Sequence, residues 1–184
     1  MNLPNKLTML RILLVPFFVV FVYFEKYPVC QVLALVLFIS ASITDLLDGR
    51  IARSRNLVTD FGKFMDPIAD KLLVMSALVV LTSQGRMPAW VCIVMLAREF
   101  AISGLRLIAV ENGRVIAAGM LGKIKTVTQM AAVMLLLLLV PVSGEGLLGH
   151  GGAVFADAVM YVSAAMTVVS GVDYLVRNRD VLKE

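Results

Sequence analysis

Five aspartates, Asp45, Asp48, Asp60, Asp66 and Asp70, fall within TDLLDGRIARSRNLVTDFGKFMDPIADK, residues 44–71 of a chain that is 60% hydrophobic. Four of them keep helical spacing. Residues three or four apart share a helix face, so Asp45, Asp48, Gly49 and Ala52 line one stripe and Gly62, Asp66 and Asp70 another. Asp60 falls outside this spacing and reads as a loop or N-cap residue. With the polar connection SRNLVTDF as a short turn, two antiparallel helices bring four carboxylates to one end of the fold.

Four carboxylates near a low-dielectric medium do not stay ionised together without compensation. Two divalent cations supply the matching charge. Oxygen donors alone, without His or Cys, suit Mg²⁺ or Mn²⁺ rather than Zn²⁺. Such a pair serves phosphoryl chemistry, where attacking and leaving oxygens need stabilising together. Gly49, Ala52 and Gly62 then read as absent side chains that leave room for a bulky ligand, and Arg53 as a partner for phosphate. The bland alternative is a solvated helix cap. A cation transporter would place its acids near mid-membrane with an inverted repeat, and an intramembrane prenyltransferase would need a second acidic motif. The sequence offers neither.

The elements that position these acids follow from composition. A mean hydropathy of +0.90 with 16% charged residues points to a membrane-embedded helix bundle. Apolar segments fall at residues 10–24, 29–43, 72–82, 88–110, 127–142 and 153–176. Several are shorter than the ~20 residues a hydrocarbon core needs, so the second and third helices must run on into the acidic stretch. The expected fold is an all-α integral membrane protein, one domain over residues 1–184, with six transmembrane helices. No small-residue cleavage site follows the first segment, which therefore stays a helix. If the spans alternate, only Lys26 and Arg86 of the 17 Lys and Arg residues fall on one side. The other side is cytoplasmic by the positive-inside rule, and both termini and the acidic end face it. The net charge of +4 is thus a topology signal and implies no nucleic-acid partner. Two cysteines, Cys30 and Cys92, exclude a disulfide framework.

The stretch resembles the signature of the CDP-alcohol phosphotransferases, D-x2-D-G-x2-A-R-x8-G-x3-D-x3-D, at every fixed position from Asp45 to Asp70. The resemblance implies a multi-pass protein of the bacterial inner membrane, usually a homodimer, that displaces CMP from a CDP-linked lipid with the hydroxyl of a second alcohol. It makes Asp45, Asp48, Asp66 and Asp70 ligands of two divalent cations, and Asp70 also the general base. Gly49, Ala52, Arg53 and Gly62, with Asp48, fall where the family meets the CDP moiety.

Two further segments bear on the acceptor. The start, NLPNKLTMLR, resembles the P-N-x-L-T-x-x-R opening of that family's phosphatidylglycerophosphate synthases. It is expected to form a short interfacial N-terminal helix, with Asn5 and Thr8 meeting CDP. LAREFAISGLR and KIKTVTQ then place Arg98, Lys123, Lys125 and Thr126 on the fourth and fifth helices. Arg98 lies about 16 Å along the helix from Pro88, well inside the bundle, where a cation needs an anion. Glu99 is adjacent in sequence but expected to point elsewhere on the helix. Snorkelling accounts for Lys123 at a helix start, but poorly for Arg98. An acceptor carrying its own phosphate would neutralise Arg98, Lys123 and Lys125 together. The expected substrates are therefore CDP-diacylglycerol and sn-glycerol 3-phosphate. Inositol phosphate would satisfy the same charges, whereas serine would leave the cluster without a dianion.

Overall fold

The computed structural model describes residues 3–24, 27–55, 60–114, 116–117, 119–140 and 148–182. Side chains at 3, 4, 7, 28, 45–55, 60–64, 66, 67, 70 and 182 fall outside the description. Six helices follow in order: α1 (Leu3–Tyr23), α2 (Pro28–Arg55), α3 (Asp60–Ser83), α4 (Ala89–Glu111), α5 (Met120–Leu139) and α6 (Gly149–Arg177). A short 3₁₀ turn, Arg179–Leu182, closes the described chain. No strand occurs among the described residues.

Local chemistry explains where the helices start and stop. Pro28 opens α2, where its missing N–H costs nothing. After α3 and α4, Gly85 and Gly113 adopt φ 72° and 70°, a left-handed conformation open to glycine without a Cβ penalty. There the N–H of Arg86 reaches the Leu81 carbonyl at 3.0 Å and that of Arg114 the Ala109 carbonyl at 2.8 Å. Both ends are closed by the same carbonyl-satisfying turn. Arg114 also holds Asp180 at 2.6 Å. That hydrogen bond keeps the Asp180 carboxyl below its ordinary range, so the tie is present at neutral pH and lost as pH falls through the lowered value.

At the N-terminus the structure corrects the expectation. α1 runs unbroken from Leu3 through Pro16 to Tyr23, so no separate short interfacial helix precedes it. Asn5, Thr8 and Arg11 are buried and continue the stripe formed by Val15, Phe18 and Val22. One buried face carries the helix back through its polar start.

α1 packs on both α2 and α3, and Phe18 meets Phe38 at 5.7 Å in the core between α1 and α2. α5 packs most extensively on α6, whose buried face is rich in small residues, Ala156, Ser163, Ala164 and Thr167 among them. Small residues let helices approach closely. The bundle is also tied end to end by polar side chains. Gln31 Nε2 donates to the Leu137 carbonyl at 3.0 Å, and Arg86 Nη2 donates to that of Leu136. Both donate to carbonyls near the C-terminal end of α5, where the helix dipole favours donors and positive charge. Arg86, an exception to the charge asymmetry, is therefore engaged in the fold. Arg86→Met is expected to destabilise the protein by about 1–3 kcal/mol, read as a lower thermal midpoint in detergent.

The outer face is apolar. Leu13, Phe17, Val36, Ile93, Phe100, Val127 and Val169 are all exposed, a surface that soluble monomers rarely present. Met120–Leu139 and Gly149–Arg177 are long and apolar enough to cross a membrane, while Thr8–Tyr23, Val29–Thr44 and Lys71–Ser83 are shorter apolar stretches.

Candidate active site

The acidic motif divides between two helices. Asp45, Asp48, Gly49, Ala52 and Arg53 occupy the last turns of α2, and Gly62, Asp66 and Asp70 the first turns of α3. Their side chains lie outside those described. The backbone nonetheless places both stripes at the same end of the bundle, since residue 55 ends one helix and residue 60 begins the next. Asp60 is the first residue of α3.

The polar start of α1 is level with this end. Near the opposite end, Tyr23 Oη lies 3.2 Å from Ser83 Oγ, and Gln84 Nε2 donates to the Val22 carbonyl at 2.9 Å. These contacts set the register of α1 against α3. Counted back equally along both helices, Asn5, Thr8 and Arg11 come level with residues 65, 68 and 71. The buried polar stripe of α1 thus sits beside the acidic turns of α3.

Beyond Asp70 lies a cavity of about 230 Å³. α3 contributes Lys71, Val74 and Met75, and α4 contributes Glu99. From α5 come Lys125, Thr126, Gln129 and Met130. Position 70 precedes Val74 by one helical turn, on the stripe that reaches the cavity. The volume is below the ~300–1,000 Å³ of sites for drug-sized ligands, and the lining mixes charge with an apolar floor. Such a space suits a small polar molecule rather than a nucleotide.

Electrostatics converge on Glu99. Its Oε1 accepts from Lys125 Nζ and, at 3.4 Å, from Arg98 Nη1. The expectation that Glu99 points away from Arg98 is therefore corrected. Adjacent Cβ atoms diverge on a helix, but the long guanidinium stem folds back far enough for a weak contact. Lys71 Nζ donates to Ser103 Oγ, which in turn donates to the Glu99 carbonyl at 2.6 Å. α3, α4 and α5 are thereby joined around one acid.

The four residues expected to hold the acceptor's phosphate are placed differently. Lys125 is buried and lines the cavity with Thr126, whose hydroxyl also donates back to Gly122 at 3.0 Å. Lys123 is exposed and Arg98 largely buried, and neither is on the cavity wall. The Arg98 stem crosses Gly171 of α6, where an added Cβ would stand 3.2 Å from Arg98 Cγ. Its guanidinium faces Gly122 of α5, with 3.6 Å to the corresponding Cβ. Gly171→Leu is expected to displace Arg98 and cost about 1–3 kcal/mol by overpacking, visible as a lower thermal midpoint in detergent. Gly171→Ala should be milder, because the flexible stem can yield a few tenths of an ångström.

Lys71 and Gln129 also line the cavity, although the sequence reading gave neither a place in the site. Lys71 reads there only as a topology marker, and its position beside Asp70 was the available signal. Gln129 stands one turn beyond Lys125 on the same face of α5.

Among the described residues no three His, Cys, Asp or Glu cluster as a metal site. The carboxylates of α2 and α3 fall outside that search; as oxygen-only donors they are of a chemistry that suits a hard divalent cation.

A sequence profile of the CDP-alcohol phosphatidyltransferase family matches residues 1–169. A Bacillus subtilis (strain 168) protein named CDP-diacylglycerol–glycerol-3-phosphate 3-phosphatidyltransferase is 45% identical, over 99% of this chain and 97% of its own. A Rickettsia felis protein of the same name is 38% identical over 94% of this chain and 93% of its own. A probable phosphatidylglycerophosphate synthase of Mycobacterium tuberculosis (strain H37Rv) is 41% identical over 96% and 81%.

Proposed function

Because the chain belongs to the CDP-alcohol phosphatidyltransferase family, we propose that it transfers the phosphatidyl group of CDP-diacylglycerol to sn-glycerol 3-phosphate, giving phosphatidylglycerophosphate and CMP. The observation that carries the acceptor is the small cavity beyond position 70, lined by Lys71, Lys125 and Thr126. Relatives at 38–45% identity are named for this same acceptor. Inositol phosphate is the second reading, because it would meet the same cations.

The chemistry follows from the residues. Lys71 and Lys125 bind the acceptor's phosphate as charge-assisted donors, with the Thr126 hydroxyl beside them. Held there, the acceptor presents its primary hydroxyl toward the acidic turns of α3, which lowers the entropic cost of attack. Asp70 takes the hydroxyl proton as its oxygen bonds to the phosphorus that carries diacylglycerol. The bond from that phosphorus to the bridging oxygen breaks, and CMP leaves. Asn5 and Thr8 of α1, with Asp48, Gly49, Ala52, Arg53 and Gly62, bind the CDP moiety at the same end. Asp45, Asp48, Asp66 and Asp70 would hold two Mg²⁺ or Mn²⁺ ions. When bound, these ions neutralise the pyrophosphate and the charge growing on the leaving CMP. No covalent enzyme intermediate is required.

We further propose six transmembrane spans in the bacterial inner membrane, with both termini and the site on the cytoplasmic side. Charge asymmetry and the apolar outer face support that placement. The family resemblance adds a homodimer. The test is CMP release by detergent-purified protein, with excess chelator and then with Mg²⁺ or Mn²⁺ restored. Loss and recovery of activity support the metal-dependent reading; turnover undiminished by the chelator would sink it.

A further inference from the structure

Two residues that line the cavity, Gln129 and Glu99, each carry a polar atom that the described fold leaves unused. Gln129 is 3% exposed, and its Nε2 is buried without a hydrogen-bond partner. A buried amide donor left unsatisfied is unfavourable, and native folds rarely keep one without a reason. On Glu99, both Lys125 and Arg98 approach Oε1. Oε2 has no hydrogen-bond partner among the described residues. Among the described residues the cavity wall thus carries one unused donor and one unused acceptor besides its cations.

This pairing does not suit phosphate. A phosphate dianion has no proton to give Glu99 and would be repelled by it. A hydroxyl fits both atoms at once, because it accepts through oxygen and donates through its proton. Resting on the proposed acceptor, we propose that Gln129 and Glu99 are specificity-determining residues that read the C2 hydroxyl of glycerol 3-phosphate. Gln129 Nε2 donates to the hydroxyl oxygen, and Glu99 Oε2 accepts its hydrogen. The phosphate stays with Lys71 and Lys125, so the wall sorts the acceptor's two ends by chemistry. The hydroxyl is only hydrogen-bonded; the attacking oxygen is the primary one.

The test compares glycerol 3-phosphate with 3-hydroxypropyl phosphate, which keeps the phosphate and the primary hydroxyl but lacks the C2 hydroxyl. Wild-type protein is expected to favour glycerol 3-phosphate in kcat/KM by roughly tenfold to a hundredfold. In Gln129→Met that preference should collapse, through a greater loss of turnover with glycerol 3-phosphate than with the deoxy acceptor. An unchanged thermal midpoint in detergent shows that the variant is folded. Should the Met variant fail to fold, Gln129→Asn, which keeps the amide but shortens its reach, carries the same expectation. A wild type without preference would overturn the inference whatever the variants do. So would a Met or Asn variant that keeps the full preference. If the wild type released no CMP with either acceptor but did so with another alcohol, the acceptor reading itself would fail.

Discussion

Asp70→Asn is expected to abolish measurable CMP release while leaving the protein folded and able to extract with its normal thermal midpoint. Asparagine keeps the shape of aspartate but cannot accept the acceptor's proton. Loss of a general base alone lowers the rate by about 10²–10⁴-fold, and loss of a metal-binding carboxylate adds to it. The effect should appear in kcat, since the cations around the acceptor cavity are untouched. Asp60→Asn is the contrast. Asp60 opens α3, where a carboxylate interacts with the helix dipole for only about 0.3–1 kcal/mol. That variant should retain most of the wild-type rate. Equal losses in both would mean that charge at the start of α3, rather than chemistry at position 70, controls turnover.

Lys125→Met is the second large effect, and it should divide between binding and stability. Removing a charge-assisted donor costs about 1.5–3 kcal/mol, or roughly a tenfold to 150-fold rise in KM for glycerol 3-phosphate. The KM for CDP-diacylglycerol should stay near its wild-type value. The same change strips Glu99 of its main partner, leaving Arg98 at 3.4 Å. Breaking a buried pair from one side costs about 3–5 kcal/mol, less here because the Glu99 side chain is 20% exposed. Adding Glu99→Gln should recover much of the lost thermal stability, since no carboxylate remains to be compensated. It should not recover the acceptor KM. Recovery of both would make Lys125 a partner of Glu99 and nothing more.

Much of this organisation was legible in the sequence because its signals are local. The spacing of Asp45, Asp48, Asp66 and Asp70 sets two helical stripes whatever surrounds them. The apolar segments, too short to span alone, required α2 and α3 to continue into the acidic turns, and they do. The errors came where distant elements decide. The polar start reads as a short interfacial helix, but Asn5, Thr8 and Arg11 are buried and α1 runs as one helix from Leu3. Glu99 meets Lys125 across 26 residues of chain, a pairing that periodicity within either helix does not express. Gln129 and Lys71 enter the cavity wall for the same reason: α3, α4 and α5 must first converge. Arg98 was read correctly as lying inside the bundle. Its neighbours proved to be Gly171, Gly122 and Glu99 rather than the cavity wall.

The central claim, phosphatidyl transfer to a phosphorylated glycerol, is tested most directly by CMP release from CDP-diacylglycerol. The detergent-purified protein with Mg²⁺ would be given glycerol 3-phosphate, inositol phosphate, free inositol and serine in parallel. The predicted result is release with glycerol 3-phosphate alone, with phosphatidylglycerophosphate as the lipid product. Release with inositol phosphate or serine, and none with glycerol 3-phosphate, would contradict the acceptor assigned to the cavity of Lys71, Lys125 and Thr126.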